Sequence, residues 1–188
     1  MASFHWRRRI SCLLSVCMLL SSFAFSGCSD GSASSQAQAS SSDAPDLSDE
    51  YYIDAAMMDE VLEQIYSGVP ELLRESVTEP TDEEIEEVLK LNLSDIDDAF
   101  IRYSSGSFGV ADIYVIKPTT DALYSMKEEL DDLRLRRIDE FEQYDVYDAL
   151  SIAEDSEVVQ MGTYLVLVMM ENAEEALELL EPIIPQGR

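Results

Sequence analysis

The chain has 188 residues, with 39 acidic side chains against 12 basic ones and a formal net charge of −27. That length suits one ordinary domain and is short for two, and an apolar and aromatic content of 46% argues against wholesale disorder. The acid excess argues against a nucleic-acid binder, because phosphate contacts need Lys and Arg gathered in a patch.

The first segment reads as a targeting signal. Arg7, Arg8 and Arg9 precede an apolar run from Ile10 to Phe25, which ends in Phe25-Ser26-Gly27-Cys28. A charged start, a short apolar centre and small residues at the exit make a secretory signal. The run of 16 residues is shorter than the roughly 20 that a spanning helix prefers. Phe25-Ser26-Gly27-Cys28 also resembles a bacterial lipobox, with Phe where Leu is usual. The small residues let extended backbone enter a peptidase site, and the Cys28 thiol is the nucleophile that takes a diacylglyceryl group. The resemblance implies residues 1–27 as a lipoprotein signal peptide and Cys28 as the lipidated first residue of the mature protein, with palmitate among its acyl chains. It places the protein at the extracytoplasmic face of the cell membrane.

Removing residues 1–27 takes away three basic side chains, His5, Trp6, Cys12 and Cys17, and leaves nine bases against 39 acids, a formal charge of −30. The mature chain then has no His, no Trp and one Cys, so no intramolecular disulfide is possible and the core must hold the fold. Residues 28–50 read as a flexible tether rich in Ser, Ala and Asp, which cannot bury enough surface to offset its ordering entropy. As a coil of about 20 residues it spans on the order of 25 Å.

Residues 51–188 read as an α+β domain. A first helix is expected from Asp54 to Tyr66, stopped by Gly68 and Pro70, with a short turn of helix over Val69–Val77. Thr81-Asp82-Glu83-Glu84 has the form of a capping box. Asp98–Tyr103 and Val110–Lys117 alternate as strands around the hairpin loop Ser104–Gly109. Thr119-Thr120-Asp121 opens the longest helix, running to Gln143, and a shorter helix covers Asp145–Ala153. Glu157–Met161 and Thr163–Met170 make a second strand pair turning at Gly162, and Tyr164–Met169 is apolar on both faces, as a central strand requires. Asn172 is expected to cap a last helix, closed by Pro182 and Pro185. The fold expected is a single domain with a small antiparallel sheet built from two strand pairs, packed by the long helix and flanking helices.

Two blocks in this region carry a family resemblance. One is Ala111-Asp112-Ile113-Tyr114-Val115-Ile116-Lys117, followed by the long charged helix. The other is Gly162-Thr163-Tyr164-Leu165-Val166-Leu167-Val168, followed by the acidic helix holding Ala173-Glu174-Glu175-Ala176. From about Ala99 to Leu180 the chain resembles the family called domain of unknown function 4358, small lipoproteins of Gram-positive bacteria. The resemblance implies place and fold and carries no activity with it.

The residues themselves exclude several chemistries. Without His in the mature chain there is no Ser-His-Asp triad, no Cys-His pair and no His-based zinc site, and no free thiolate remains. There is no phosphate-binding Gly-Lys-Ser/Thr loop and no Ser three residues before a Lys. Gly106-Ser107-Phe108-Gly109 is one residue short of a nucleophile elbow and lies between strands, so it reads as a turn. Asn92-Leu93-Ser94 is a glycosylation acceptor only in a eukaryotic secretory path. Catalytic, cofactor and metal residues are therefore expected to be none.

Several clusters are candidates for a site. Asp43, Asp46, Asp49 and Glu50, and Asp95, Asp97 and Asp98, offer oxygen ligands for calcium, without the spacing of an EF-hand, and read as solvated surface. Arg134, Arg136 and Arg137 form the only basic cluster of the mature chain, explained by pairing with Glu128, Glu129, Asp131 and Asp132 on the same helix. An anion or wall-polymer site there, lined by Tyr144 and Tyr147, is the competing reading; the tyrosines read as core or boundary aromatics. Met57-Met58 and Met169-Met170 read as packing rather than a copper site. The function expected is a non-enzymatic binding or assembly module held to the membrane by its lipid, with a protein or cell-wall partner. The alternatives are a wall-acting enzyme using carboxylates and a divalent-cation-binding domain.

Overall fold

The structure, a computed structural model, describes residues 52–186. The lipobox with Cys28, the tether and the acids Asp43–Glu50 lie outside the described residues. Six α-helices and five strands follow in the order α1 (Ala55–Ser67), α2 (Glu71–Ser76), β1 (Val77–Thr78), α3 (Asp82–Glu87), β2 (Ile96–Ser104), β3 (Asp112–Pro118), α4 (Leu123–Gln143), α5 (Ala149–Asp155), β4 (Val158–Met161), β5 (Tyr164–Met169) and α6 (Ala173–Leu180).

The strands form one antiparallel sheet in the order β1-β2-β3-β5-β4. The expected hairpins β2–β3 and β4–β5 are joined through β3 and β5. The sheet has five strands rather than two pairs alone, because Val77 and Thr78 leave the helical path and pair with Ser104 and Tyr103. Two residues carry too little periodicity to be seen in sequence.

Central β3 and β5 explain the core. All six residues of β5 are buried, as are Ile113 to Ile116 of β3. Alternation sends Tyr114, Ile116, Leu165 and Leu167 to one face, where Met126, Leu130, Leu133 and Phe141 of α4 and Ala149 and Ala153 of α5 cover them. Ile113, Val115, Val166 and Val168 face the other way, against Met58, Leu62 and Ile65 of α1 and Ala176 and Leu180 of α6. The sheet is therefore sandwiched between two helical layers.

Helix starts are partly as expected. Asp54 caps α1 by accepting from the N–H groups of Ala56 and Met57 at 2.9 and 3.1 Å. Thr81 and Glu84 complete the capping box of α3. Three other starts differ. The Thr119 N–H donates to the Asp95 carbonyl at 2.8 Å and a turn closes from Ala122 back to Thr119, so α4 begins at Leu123. Tyr147 and Asp148 sit in the left-handed region, at φ 55° and 58°, which delays α5 to Ala149. Asn172 occupies the cap position of α6, but its side chain makes no cap bond.

Gly162 turns β4 into β5 at φ +56°, and a Cβ there would overlap the Pro185 carbonyl. Gly162→Ala should therefore lower stability by about 1–3 kcal/mol, read as a lower midpoint in urea. An unchanged midpoint would show that residues 185–186 move aside freely.

Candidate functional site

The basic cluster on α4 does not pair with the acids Glu128, Glu129, Asp131 and Asp132 that precede it, and its one ion pair along the helix runs forward, from Arg137 to Glu140. Arg136 donates to the Leu89 carbonyl at 2.7 Å and Arg134 to the Ala153 carbonyl at 3.4 Å. Arg137 turns inward. Its Nε lies 3.1 Å from Asp112 Oδ2, an ionic contact without hydrogen-bond alignment. Its Nη2 donates to the backbone carbonyl and Oγ of Ser104 at 3.2 and 3.1 Å, and its Nη1 reaches Glu140 at 2.7 Å. The expected Glu128–Asp132 partners are replaced by a carboxylate on the sheet, because the helix turns Arg137 towards β3.

Asp112 is fully buried at the start of β3. It accepts from the N–H and Oγ of Ser104, both at 2.7 Å, and from the Tyr114 hydroxyl at 3.2 Å. Donors surround it, which fits an ionised carboxylate. Burial pushes its pKa up, against the pull of Arg137 and of Ser104. Burial likewise raises the Tyr114 hydroxyl far above the usual range, with the Asp112 charge adding to it. Sealed from solvent, this cluster can hold structure but cannot meet a substrate. It fastens the end of α4 to the β2–β3 hairpin.

The opposite end of the sheet carries a second polar group. The Tyr164 hydroxyl donates to Asp98 at 2.9 Å and accepts from the Ile53 N–H at 3.1 Å. Burial raises the Asp98 carboxyl, opposed by the Tyr164 bond. Lys117 lies 3.0 Å from Asp97 and 3.4 Å from the centroid of the Tyr52 ring, whose hydroxyl donates to Asp97 at 2.9 Å. Asp97 and Asp98 thus serve local partners. Among the described residues no group of three or more His, Cys, Asp or Glu side chains is arranged to hold a metal ion.

A more open feature of the fold lies beside the hairpin. A groove of about 320 Å³ runs between the α1–α2 link, the β2–β3 loop and the α4–α5 connection. Its floor includes Leu73, Val110, Ala111 and Met170, all buried. Its rim carries Leu72, Phe108 and Tyr147, exposed by 61%, 44% and 76%. Gly109, at φ +107°, brings the hairpin close enough that a Cβ there would lie 3.3 Å from the Val146 carbonyl. Consecutive left-handed residues at Tyr147 and Asp148 shape the facing wall and hold the Tyr147 ring outward.

Of the described candidate residues read from sequence, Tyr147 and Met170 line this groove and the others do not. Tyr147 lines it and Tyr144 is exposed, so neither is a core aromatic. Met170 contributes to the floor, Met58 and Met169 are buried, and Met57 is exposed. Ser107 sits in the turn closed by the Gly109 N–H on the Gly106 carbonyl at 3.4 Å, as a turn reading requires. Sequence reasoning passed over Asp112, although an acid inside an apolar strand was a visible signal. It also passed over Phe108 and Leu72, where the signal was a large apolar residue in a loop or on the polar side of a short helix.

The family described as Domain of unknown function (DUF4358) matches residues 72–170, which span β1 to β5 and end in the groove floor. No curated protein and no solved structure matches the chain.

Proposed function

This chain belongs to the DUF4358 family, and from that premise we propose that it is a membrane-anchored extracytoplasmic lipoprotein whose folded part is a non-enzymatic binding module. Cys28 carries the lipid, residues 29–50 are the tether, and the groove beside Phe108 takes the partner. Attachment by two acyl chains is the usual requirement for stable anchoring. No described helix is long and apolar enough to cross a membrane.

The observation that carries the binding reading is the exposed apolar rim. Leu72, Phe108 and Tyr147 stand open together around a buried apolar floor, whereas the other exposed large apolar side chains, such as Met57, Val88, Tyr124 and Leu135, line no part of this groove. Exposed apolar surface gathered at one concavity marks an interaction site. The enzyme alternative asks for carboxylates with separated proton affinities inside an accessible cleft. The two carboxylates that burial raises, Asp112 and Asp98, lie outside the groove lining, and each is taken up by internal partners.

Anchoring is tested by metabolic labelling with a lipid precursor followed by membrane fractionation. The natural chain should take up label and sediment with membranes, and Cys28→Ala should do neither. Label on the Cys28→Ala chain, or membrane retention without label, would overturn the anchor.

A further inference from the structure

Resting on that binding reading, we infer that the groove receives a cationic segment of a polypeptide, an apolar side chain flanked by Lys or Arg. Its apolar part matches the floor of Leu73, Val110 and Met170 and the rim at Leu72 and Phe108. Its volume, about 320 Å³, is at the small end for a ligand site and suits one or two anchoring side chains.

Charge complementarity selects the flanks. Among the described residues, the only charged side chains that line the groove are Glu71 and Glu171, which stand on opposite segments, one opening α2 and the other following β5. Both are exposed, so both are free to meet a cation in water. The described residues hold 34 acids against eight bases. Of those bases, Arg102, Lys117 and Arg137 are already bridged to carboxylates, and Arg134 and Arg136 are bonded to carbonyls. An anionic lipid headgroup or wall polymer would be repelled within a Debye length of about 8–10 Å, whereas a basic peptide would be drawn in. The mouth of the groove is thus a cation-selecting frame around an apolar seat.

The test uses the full lipidated chain in nanodiscs of neutral phosphatidylcholine. Three labelled peptides serve as probes: an acetylated Lys-Leu-Phe-Leu-Lys amide, its Gln counterpart and its Glu counterpart. Fluorescence anisotropy should rank them Lys, then Gln, then Glu. Replacing Glu71 and Glu171 together by Gln should weaken the Lys peptide about three- to tenfold and leave the Gln peptide unchanged, the scale of two exposed ion pairs. Leu72→Ser with Phe108→Ser should weaken Lys and Gln peptides alike. Equal affinity for Lys and Glu peptides would overturn the inference while leaving an apolar binding groove in place. No binding of any peptide, or preference for phosphatidylglycerol nanodiscs through Phe108, would overturn it as well. Cys28 labelling is independent of all these outcomes, so loss of the anchor and loss of cation selection are separable.

Discussion

Arg137→Met should destabilise the fold by about 3–5 kcal/mol at neutral pH, because it leaves a carboxylate buried without its charge partner. Asp112 is fully enclosed and would keep only the two Ser104 donors and the Tyr114 hydroxyl. Loss of the cation removes the principal influence lowering the Asp112 pKa, so the raised value climbs further. The sign follows from linkage. In the variant, the folded state holds a proton at pH values where the unfolded Asp, with a pKa of about 3.9, has lost it. Its stability is thus fully present below about pH 4 and is lost as pH rises through the folded value. The gap from the natural chain should widen from acid to neutral pH in urea unfolding. Asp112→Asn placed on top of Arg137→Met should restore part of the loss, since a neutral amide oxygen still accepts from Ser104. A gap that is independent of pH would assign the cost to lost packing of the Arg137 stem on Phe141, whose ring centroid is 4.9 Å from the guanidinium.

The same change connects stability to the groove. Arg137 grips both the backbone and the hydroxyl of Ser104, the last residue of β2 before the loop that carries Phe108. Freeing that grip should loosen one wall before the whole domain unfolds, visible as faster amide exchange across residues 104–109 than in β3 or β5.

Leu72→Asp together with Phe108→Asp should abolish partner binding, by about a hundredfold or more, while changing stability little. Both side chains are exposed in the free protein, by 61% and 44%, so the fold does not depend on burying them. In a complex they are the rim that excludes water from the seat, and a carboxylate in their place removes the apolar contact and must be desolvated against the partner's apolar anchor. Affinity measured by isothermal titration and a melting curve on the same sample separate the two effects. A large drop in melting temperature would mean that the rim packs internally, and retained affinity would move the site elsewhere.

The parts of the fold legible in sequence were those set by local pattern. Alternation placed β2, β3, β4 and β5, and the two-faced apolar run Tyr164–Met169 identified a central strand. Thr81 with Glu84 announced α3 because a capping box is local chemistry. Where distant partners decide, pattern failed. Thr119 is drawn to Asp95, so α4 starts late, and Val77 is drawn to Ser104, so a helix end becomes β1. Arg137 looked like one of three helix-surface cations until Asp112, 25 positions away, placed it inside. The groove was the least legible feature. It needs Leu72, Phe108, Tyr147 and Met170 on four separate segments, and no spacing rule ties them together.

The opening charge also acquires a use. A formal charge of −27 first argued only against nucleic acid. On this fold two of the acids, Glu71 and Glu171, frame an apolar seat, so the charge can steer basic partners to it.

The most direct test of a lipid-tethered binding groove is photo-crosslinking in the producing cells, with a photoreactive side chain at position 108 of the full chain. Tyr124 is the control site: it is 84% exposed and sits at the start of α4, a 21-residue helix about 30 Å long. The account predicts a discrete polypeptide adduct from position 108, absent from position 124 and lost when Cys28→Ala releases the chain from the membrane. Equal adducts from both positions, or none from position 108, would contradict it.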